Sequence, residues 1–269
     1  MRDFLVQVPF YQWCCLFAVI GLCVGSFLNV VIYRLPQMIC DASYTGNLYH
    51  PRSYCPVCRQ SLPWYCTVPV ISYLWLRGQC HACCAQIDRR YLLVEITSAC
   101  LAVVLLAYFG LSMTTLCLMI FSWIMLALCL IDMQHCLLPD VLTIPLLWLG
   151  LLVNTQHVFA PLNEAVFGVV FGYGVIWLLR SVYFIWRDKE GIGLGDAKLC
   201  AAIGAWVGVI EVPIVIAIAS ISALLFAICS VFLGRTNKNA PIPFGPFLII
   251  VSFMVLLFFS VSPLSYIAI

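Results

Sequence analysis

The sequence predicts an all-α polytopic membrane protein of about eight transmembrane helices, with a cytoplasmic zinc-binding loop domain. Three observations predict it. Of the 269 residues, 64% are hydrophobic and 9% charged, with a mean hydropathy of +1.09; no soluble domain of this size hides so much apolar surface. The apolar residues gather into runs close to the ~20 residues that cross a bilayer as a helix. The one long polar interval, 34–90, carries two Cys-x-x-Cys pairs.

The expected spans run 10–32, 91–109, 112–131, 138–155, 163–186, 197–210, 212–233 and 246–268, the sixth being short enough for a tilted or partial crossing. The first is too long for a cleavable signal, lacks a leading basic cluster and has no small-x-small cleavage site. The expected division is therefore a first transmembrane helix at 1–33, a loop domain at 34–90 and a membrane core at 91–269. Gly21-x-x-x-Gly25, Gly168-x-x-x-Gly172 and Gly204-x-x-x-Gly208 mark faces where helices can approach closely.

Charge orients the chain. The interval 34–90 holds Arg34, Arg52, Arg59, Arg77, Arg89 and Arg90; Arg187, Lys189 and Lys198 cluster later, as do Arg235 and Lys238. The alternate loops, 110–112, 154–163 and 209–213, have no lysine or arginine. The positive-inside rule then places the N-terminus outside and the basic loops in the cytoplasm. A net charge of +2 is too small to imply a nucleic-acid partner.

Most of the sixteen cysteines lie in apolar runs, where a thiol behaves as a small hydrophobe. The informative ones lie in the polar interval: Cys55-Pro56-Val57-Cys58 and Cys80-His81-Ala82-Cys83-Cys84, with Cys40, Cys66, His50 and His81 as spare candidates. Two Cys-x-x-Cys pairs at this separation match a four-thiolate zinc site, with Cys55, Cys58, Cys80 and Cys83 as ligands and Cys84 as the alternative fourth. A loop this short has too little core to fold without such a staple. A redox pair or a disulfide framework are the rivals, and a reducing cytoplasm disfavours the framework.

Among the eleven acids, four lie near apolar sequence: Glu95, Asp132, Asp140 and Asp196. Asp140 follows Leu138-Pro139 and is expected to cap a helix. Glu95 has an ion pair with Arg89 or Arg90 as its plain explanation. Asp132 closes an apolar run, and Asp196 follows Gly191-x-Gly193-x-Gly195, without as good a capping role for either. Both fall at cytoplasmic ends of their spans. An acid pair there suits a hydrolase that activates water, and equally a proton-coupled transporter with a zinc-stabilised loop. The residues alone leave those two open.

Several stretches together resemble the type IV prepilin peptidases, GxGD aspartic proteases of bacterial inner membranes. They are Gly25-Ser26-Phe27-Leu28-Asn29 through Arg34-Leu35-Pro36, the two cysteine pairs, Leu130-Ile131-Asp132, Leu138-Pro139-Asp140, Gly193-Leu194-Gly195-Asp196-Ala197-Lys198 and Pro243-Phe244-Gly245-Pro246. The resemblance runs nearly the whole chain in order. It implies cleavage of the leader from prepilins and type II secretion pseudopilins, with Asp132 and Asp196 as the catalytic pair. It also implies N-methylation of the new terminus with S-adenosylmethionine, at a donor site no residue pattern identifies.

Overall fold

A computed structural model of the chain describes residues 9–41, 43–188, 193–234 and 243–261. Among them the ordered elements are helical: α1 Phe10–Cys40, a 3-10 turn Trp64–Thr67, α2 Ile71–Trp75, α3 Arg89–Phe109, α4 Met113–His135, α5 Asp140–Asn154, α6 Leu162–Arg187, α7 Leu194–Val207, α8 Val212–Phe232 and α9 Gly245–Val261. Pairing between extended segments is limited to two isolated β-bridges among the described residues. Each of the eight apolar runs contains a helix, and the limits agree within a few residues except at two ends: α1 continues past the expected end at 32 to Cys40, and the expected end of the last span at 268 lies outside the described residues. At 1.5 Å per residue its 31 residues reach about 46 Å, well beyond a bilayer core of about 30 Å. Five helices (α1, α3, α4, α6 and α8) are long and apolar enough to cross a membrane, whereas α5 and α9 are shorter apolar helices.

The chain divides into two compact units, one ending at Ala127 and the other starting at Leu128. In the first, α1 and α3 pack antiparallel along a row of residues four apart. A Cβ on Gly21 would lie 2.6 Å from Ala99 Cα, and one on Gly25 would lie 2.7 Å from Glu95 Cα. One turn further, the Asn29 side chain donates to Tyr91 O at 3.0 Å. Ser98 Oγ donates to Gly21 O at 2.7 Å, so the glycine face also removes a polar group from lipid. Asp88 caps α3 by accepting from the Arg90 N–H at 2.9 Å.

The second unit is built round α7. Every residue from Leu199 to Val207 is buried, which is why this fourteen-residue helix is apolar on all sides rather than amphipathic. On one side, the α6 glycines admit its backbone: a Cβ on Gly168 would lie 2.5 Å from Gly204 O, and one on Gly172 2.7 Å from Cys200 O. On another, Trp206 Nε1 donates to Leu146 O of α5 at 2.9 Å. Asn154, fully buried, donates to Ala205 O at 2.8 Å and accepts from the N–H groups of Phe159 and Ala160, both at 3.1 Å. These bonds hold α7 in place at its C-terminal end and leave its N-terminus to the site.

Candidate active site and metal centre

Asp132 lies one turn from the end of α4 and is 4% exposed. A carboxylate at a helix C-terminus faces the negative end of that helix dipole. A second helix offsets this: the Gly245 N–H, at the first residue of α9, donates to Asp132 Oδ2 at 3.0 Å. Only a residue without a Cβ allows that approach, because a Cβ on Gly245 would stand 2.6 Å from the same oxygen. The Pro243-Phe244-Gly245-Pro246 stretch thus has a physical role that sequence reading did not assign.

Asp196 is the third residue of α7, whose N-cap is Gly193. The Gly193 backbone N–H donates to the Asp196 carboxylate, half of the reciprocal arrangement known as a capping box. This corrects the expectation that Asp196 has no good capping role. Gly195 is present for a close approach: its Cβ would meet Leu138 Cβ at 3.0 Å. Gly191 and Ile192, the start of the glycine run, lie outside the described residues.

Asp132 and Asp196 both line one cavity of about 200 Å³, together with Cys136, Leu138, Gly193 and Lys198. Asp132 acts electrostatically on Asp196 across it. Each carboxylate lines that cavity while accepting a backbone N–H at a helix N-terminus, where the dipole favours an anion.

Asp140 also lines this cavity, but it does not cap α5; the N-cap is Pro139, without a side-chain bond. The Asp140 carboxylate instead accepts both ways from Lys198 Nζ, at 2.8 and 2.6 Å. The ion pair joins the first residue of α5 to the fifth of α7, two places past Asp196. With 36% of the lysine and 50% of the aspartate side chain exposed, it is worth at most about 1 kcal/mol. Lys198→Ala or Asp140→Ala should therefore slow a reaction at the cavity by about fivefold. The exchanged pair Asp140→Lys with Lys198→Asp should regain most of the loss, measured as kcat with KM unchanged.

Glu95 is buried, and its carboxylate accepts from the Val70 N–H at 2.7 Å and from the Ser26 side chain. A backbone amide of the loop domain and the Ser26 side chain, not Arg89 or Arg90, are its partners. Arg90 pairs with Asp88 at 3.5 Å instead.

In the loop domain, the sulfurs of Cys55, Cys58, Cys80 and Cys83 lie within 4.8 Å of one another. Cys55 Sγ and Cys83 Sγ are 3.8 Å apart, the edge length of a sulfur tetrahedron whose centre is about 2.3 Å from each corner. The two knuckles repeat each other at an offset of 25 residues. Arg59 N–H donates to Cys55 O at 2.8 Å, as Cys84 N–H donates to Cys80 O at 3.0 Å. Bridges Tyr54–Ser61 and Gln79–Gln86 close each one. Arg59 and Cys84 share a left-handed backbone, with φ of 58° and 56°. Cys84 is thus the counterpart of Arg59, a turn residue outside the sulfur cluster.

The same turns tune the thiols. N–H groups of Cys83 and then Ala82, the latter 3.5 Å from Cys80 Sγ, pull the Cys80 thiol down to about 6. Cys83 moves up to about 12: an N–H from Ala85 favours its thiolate, but desolvation and the sulfurs of Cys58, Cys80 and Cys55 outweigh it. Four crowded sulfurs competing over negative charge are a donor set suited to a soft, tetrahedral divalent ion.

Two family models match the chain. Residues 19–109 match the Bacterial Peptidase A24 N-terminal domain, and residues 119–228 match the Type IV leader peptidase family. A prepilin leader peptidase/N-methyltransferase of Aeromonas salmonicida is 41% identical over 255 residues, covering 88% of this chain and 88% of that protein. One from Pseudomonas aeruginosa is 39% identical over 274 residues, covering 96% and 94%. Another from Burkholderia pseudomallei is 43% identical over 248 residues, covering 86% and 80%. No solved structure matches the chain. With this similarity extending over most of both partners' lengths, and both family models matching in order, the chain belongs to the type IV leader peptidase family.

Proposed function

We propose that the chain cleaves the leader peptide from type IV prepilins and type II secretion pseudopilins with Asp132 and Asp196, then N-methylates the new terminus. The observation that carries the reading is the shared cavity: two carboxylates, each held by a helix N-terminal amide, facing one space of about 200 Å³. The relatives' names supply the reaction class. A transporter is not favoured by either.

Two carboxylates this close share one proton, since ionising both would place like charges side by side. The ionised member takes a proton from water as its oxygen attacks the scissile carbonyl. The protonated member donates to the carbonyl oxygen, and proton return to the leaving amine completes cleavage. S-adenosylmethionine supplies an electrophilic methyl group for the second reaction. The new terminal amine must be neutral to accept it, and that step needs no proton-sharing acid pair.

The topology that suits this chemistry has eight crossings, with the N-terminus periplasmic and the basic loops at the cytoplasmic face of the inner membrane. The absence of lysine and arginine from loops 110–112, 154–163 and 209–213 supports it. Residues 1–33 then form the first transmembrane helix, 34–90 the loop domain and 91–269 the protease core. Zinc held by Cys55, Cys58, Cys80 and Cys83 has a structural role, supported by the sulfur spacing and the paired knuckles. Metal analysis should find about one zinc per chain. Replacing all four cysteines by serine should remove it and expose the loop domain to trypsin; unchanged metal content would contradict the assignment.

The test of the whole reading is incubation of the purified protein with a prepilin and labelled S-adenosylmethionine, followed by mass spectrometry of the product N-terminus. A shortened, methylated pilin is expected. Asp132→Asn should fail to cut the precursor, yet label a pre-cleaved pilin. An intact precursor with the unmodified protein would contradict the reading.

A further inference from the structure

One short helix of the loop domain gathers three exposed apolar side chains on a single turn. Ile71, Leu74 and Trp75 on α2 are 60%, 64% and 85% exposed. Their spacing of i, i+3 and i+4 puts them on one face of that single turn. Exposed tryptophan, leucine and isoleucine gathered on one turn mark an interaction surface.

The position of that turn identifies what it meets. The residue before it, Val70, is the centre of a tight turn with φ of 59° and ψ of −50°, closed by the Ile71 N–H donating to Pro69 O. Glu95 holds that turn from α3: its buried carboxylate accepts the Val70 N–H at 2.7 Å. Glu95 lies six residues past Arg89 on α3, about 9 Å along the helix axis. Arg89 and Arg90 are exposed, and basic residues at the end of a span sit at the headgroup level. Val70 is thus drawn toward the membrane beside the first turns of α3, and Ile71 starts α2 at that depth. Leu93 and Ile96 on the same turns of α3 are exposed as well, while Arg77, also exposed, follows α2 closely. Tryptophan with flanking arginine is the composition that partitions into an anionic lipid interface.

We infer that α2 is an interfacial anchor: Ile71, Leu74 and Trp75 insert into the lipid surface beside α3, and the Glu95–Val70 hydrogen bond sets their depth. The anchor holds the loop domain flat on the bilayer. It rests on reading α3 as a membrane span, and it adds a lipid contact to the metal-binding domain that catalysis does not require.

The test places p-benzoylphenylalanine, in separate full-length proteins, at Trp75, at Leu93 and at Val57, an exposed residue of the first knuckle. Each protein is reconstituted in nanodiscs of phosphatidylethanolamine and phosphatidylglycerol, irradiated, and its peptides weighed. Lipid adducts are expected at positions 75 and 93 and not at 57. Absence of lipid at 75 with lipid retained at 93 overturns the anchor, as does an adduct at 75 to a second chain or to added prepilin in place of lipid. Absence at both positions contradicts the reading of α3 as a span, and the anchor with it. A second protein, Leu74→Glu with Trp75→Glu, should keep its zinc yet lose protection of the 41–88 segment from trypsin in nanodiscs. Unchanged protection in a zinc-loaded variant also overturns the anchor.

Discussion

Asp132→Asn and Asp196→Asn are each expected to abolish prepilin cleavage, by about 10⁴-fold or more, while the protein still inserts and keeps its zinc. Asparagine preserves the size of each side chain and can still accept the N–H of Gly245 or Gly193. It cannot take a proton from water or deliver one to a carbonyl. In the proposed mechanism the pair shares one proton, so losing either carboxylate should remove both halves of the acid–base step. Asp140→Asn gives the contrast. It weakens a half-exposed ion pair with Lys198, so the loss should stay near the fivefold expected of such a pair. Cleavage rates of the three variants on one prepilin, measured at equal protein, separate the two kinds of carboxylate.

Gly245→Ala is expected to lower cleavage by about 100-fold, through geometry and with every acid intact. The added Cβ would stand 2.6 Å from Asp132 Oδ2 and 3.2 Å from its Cγ. Either the carboxylate swings off the α9 amide or the start of α9 backs away. In both cases Asp132 loses its bond and its aim at the cavity. The effect should fall on kcat, and methylation of a pre-cleaved pilin should persist. Normal cleavage by Gly245→Ala would mean the amide does not position Asp132.

What could be read along the chain was whatever depends on near neighbours in sequence. Asp132 and Asp196 stand out because a charge beside an apolar run is costly, and the four cysteines stand out by their spacing. The eight helices follow from the length of each apolar run. What could not be read was pairing across distance. The Gly245 amide reaches Asp132 over 113 positions, and Lys198 reaches Asp140 over 58. Glu95 is not legible by charge because its partners, the Val70 amide and the Ser26 side chain, are both uncharged. The Gly193–Asp196 bond was legible in principle: an N-cap glycine with an acid three residues on is a local pattern. It went unread because Asp196 was weighed for its charge and not for its place in the first turn. The overrun of α1 to Cys40 has a different cause. Hydropathy falls at Arg34 and Pro36, but both are buried, and Arg34 donates to Asn47 O at 2.9 Å in the loop domain.

In the proposed mechanism Asp132 and Asp196 work as one unit on one water. Single-turnover cleavage of a prepilin by the wild type, Asp132→Asn, Asp196→Asn and the double variant tests it most directly, with product read by mass spectrometry. The account predicts that the double variant is no slower than either single one, because each change alone already removes the shared proton. Cleavage near the wild-type rate by Asp196→Asn, with its mass showing no reversion to aspartate, would contradict it. So would a double variant slower than both singles by the product of their separate losses.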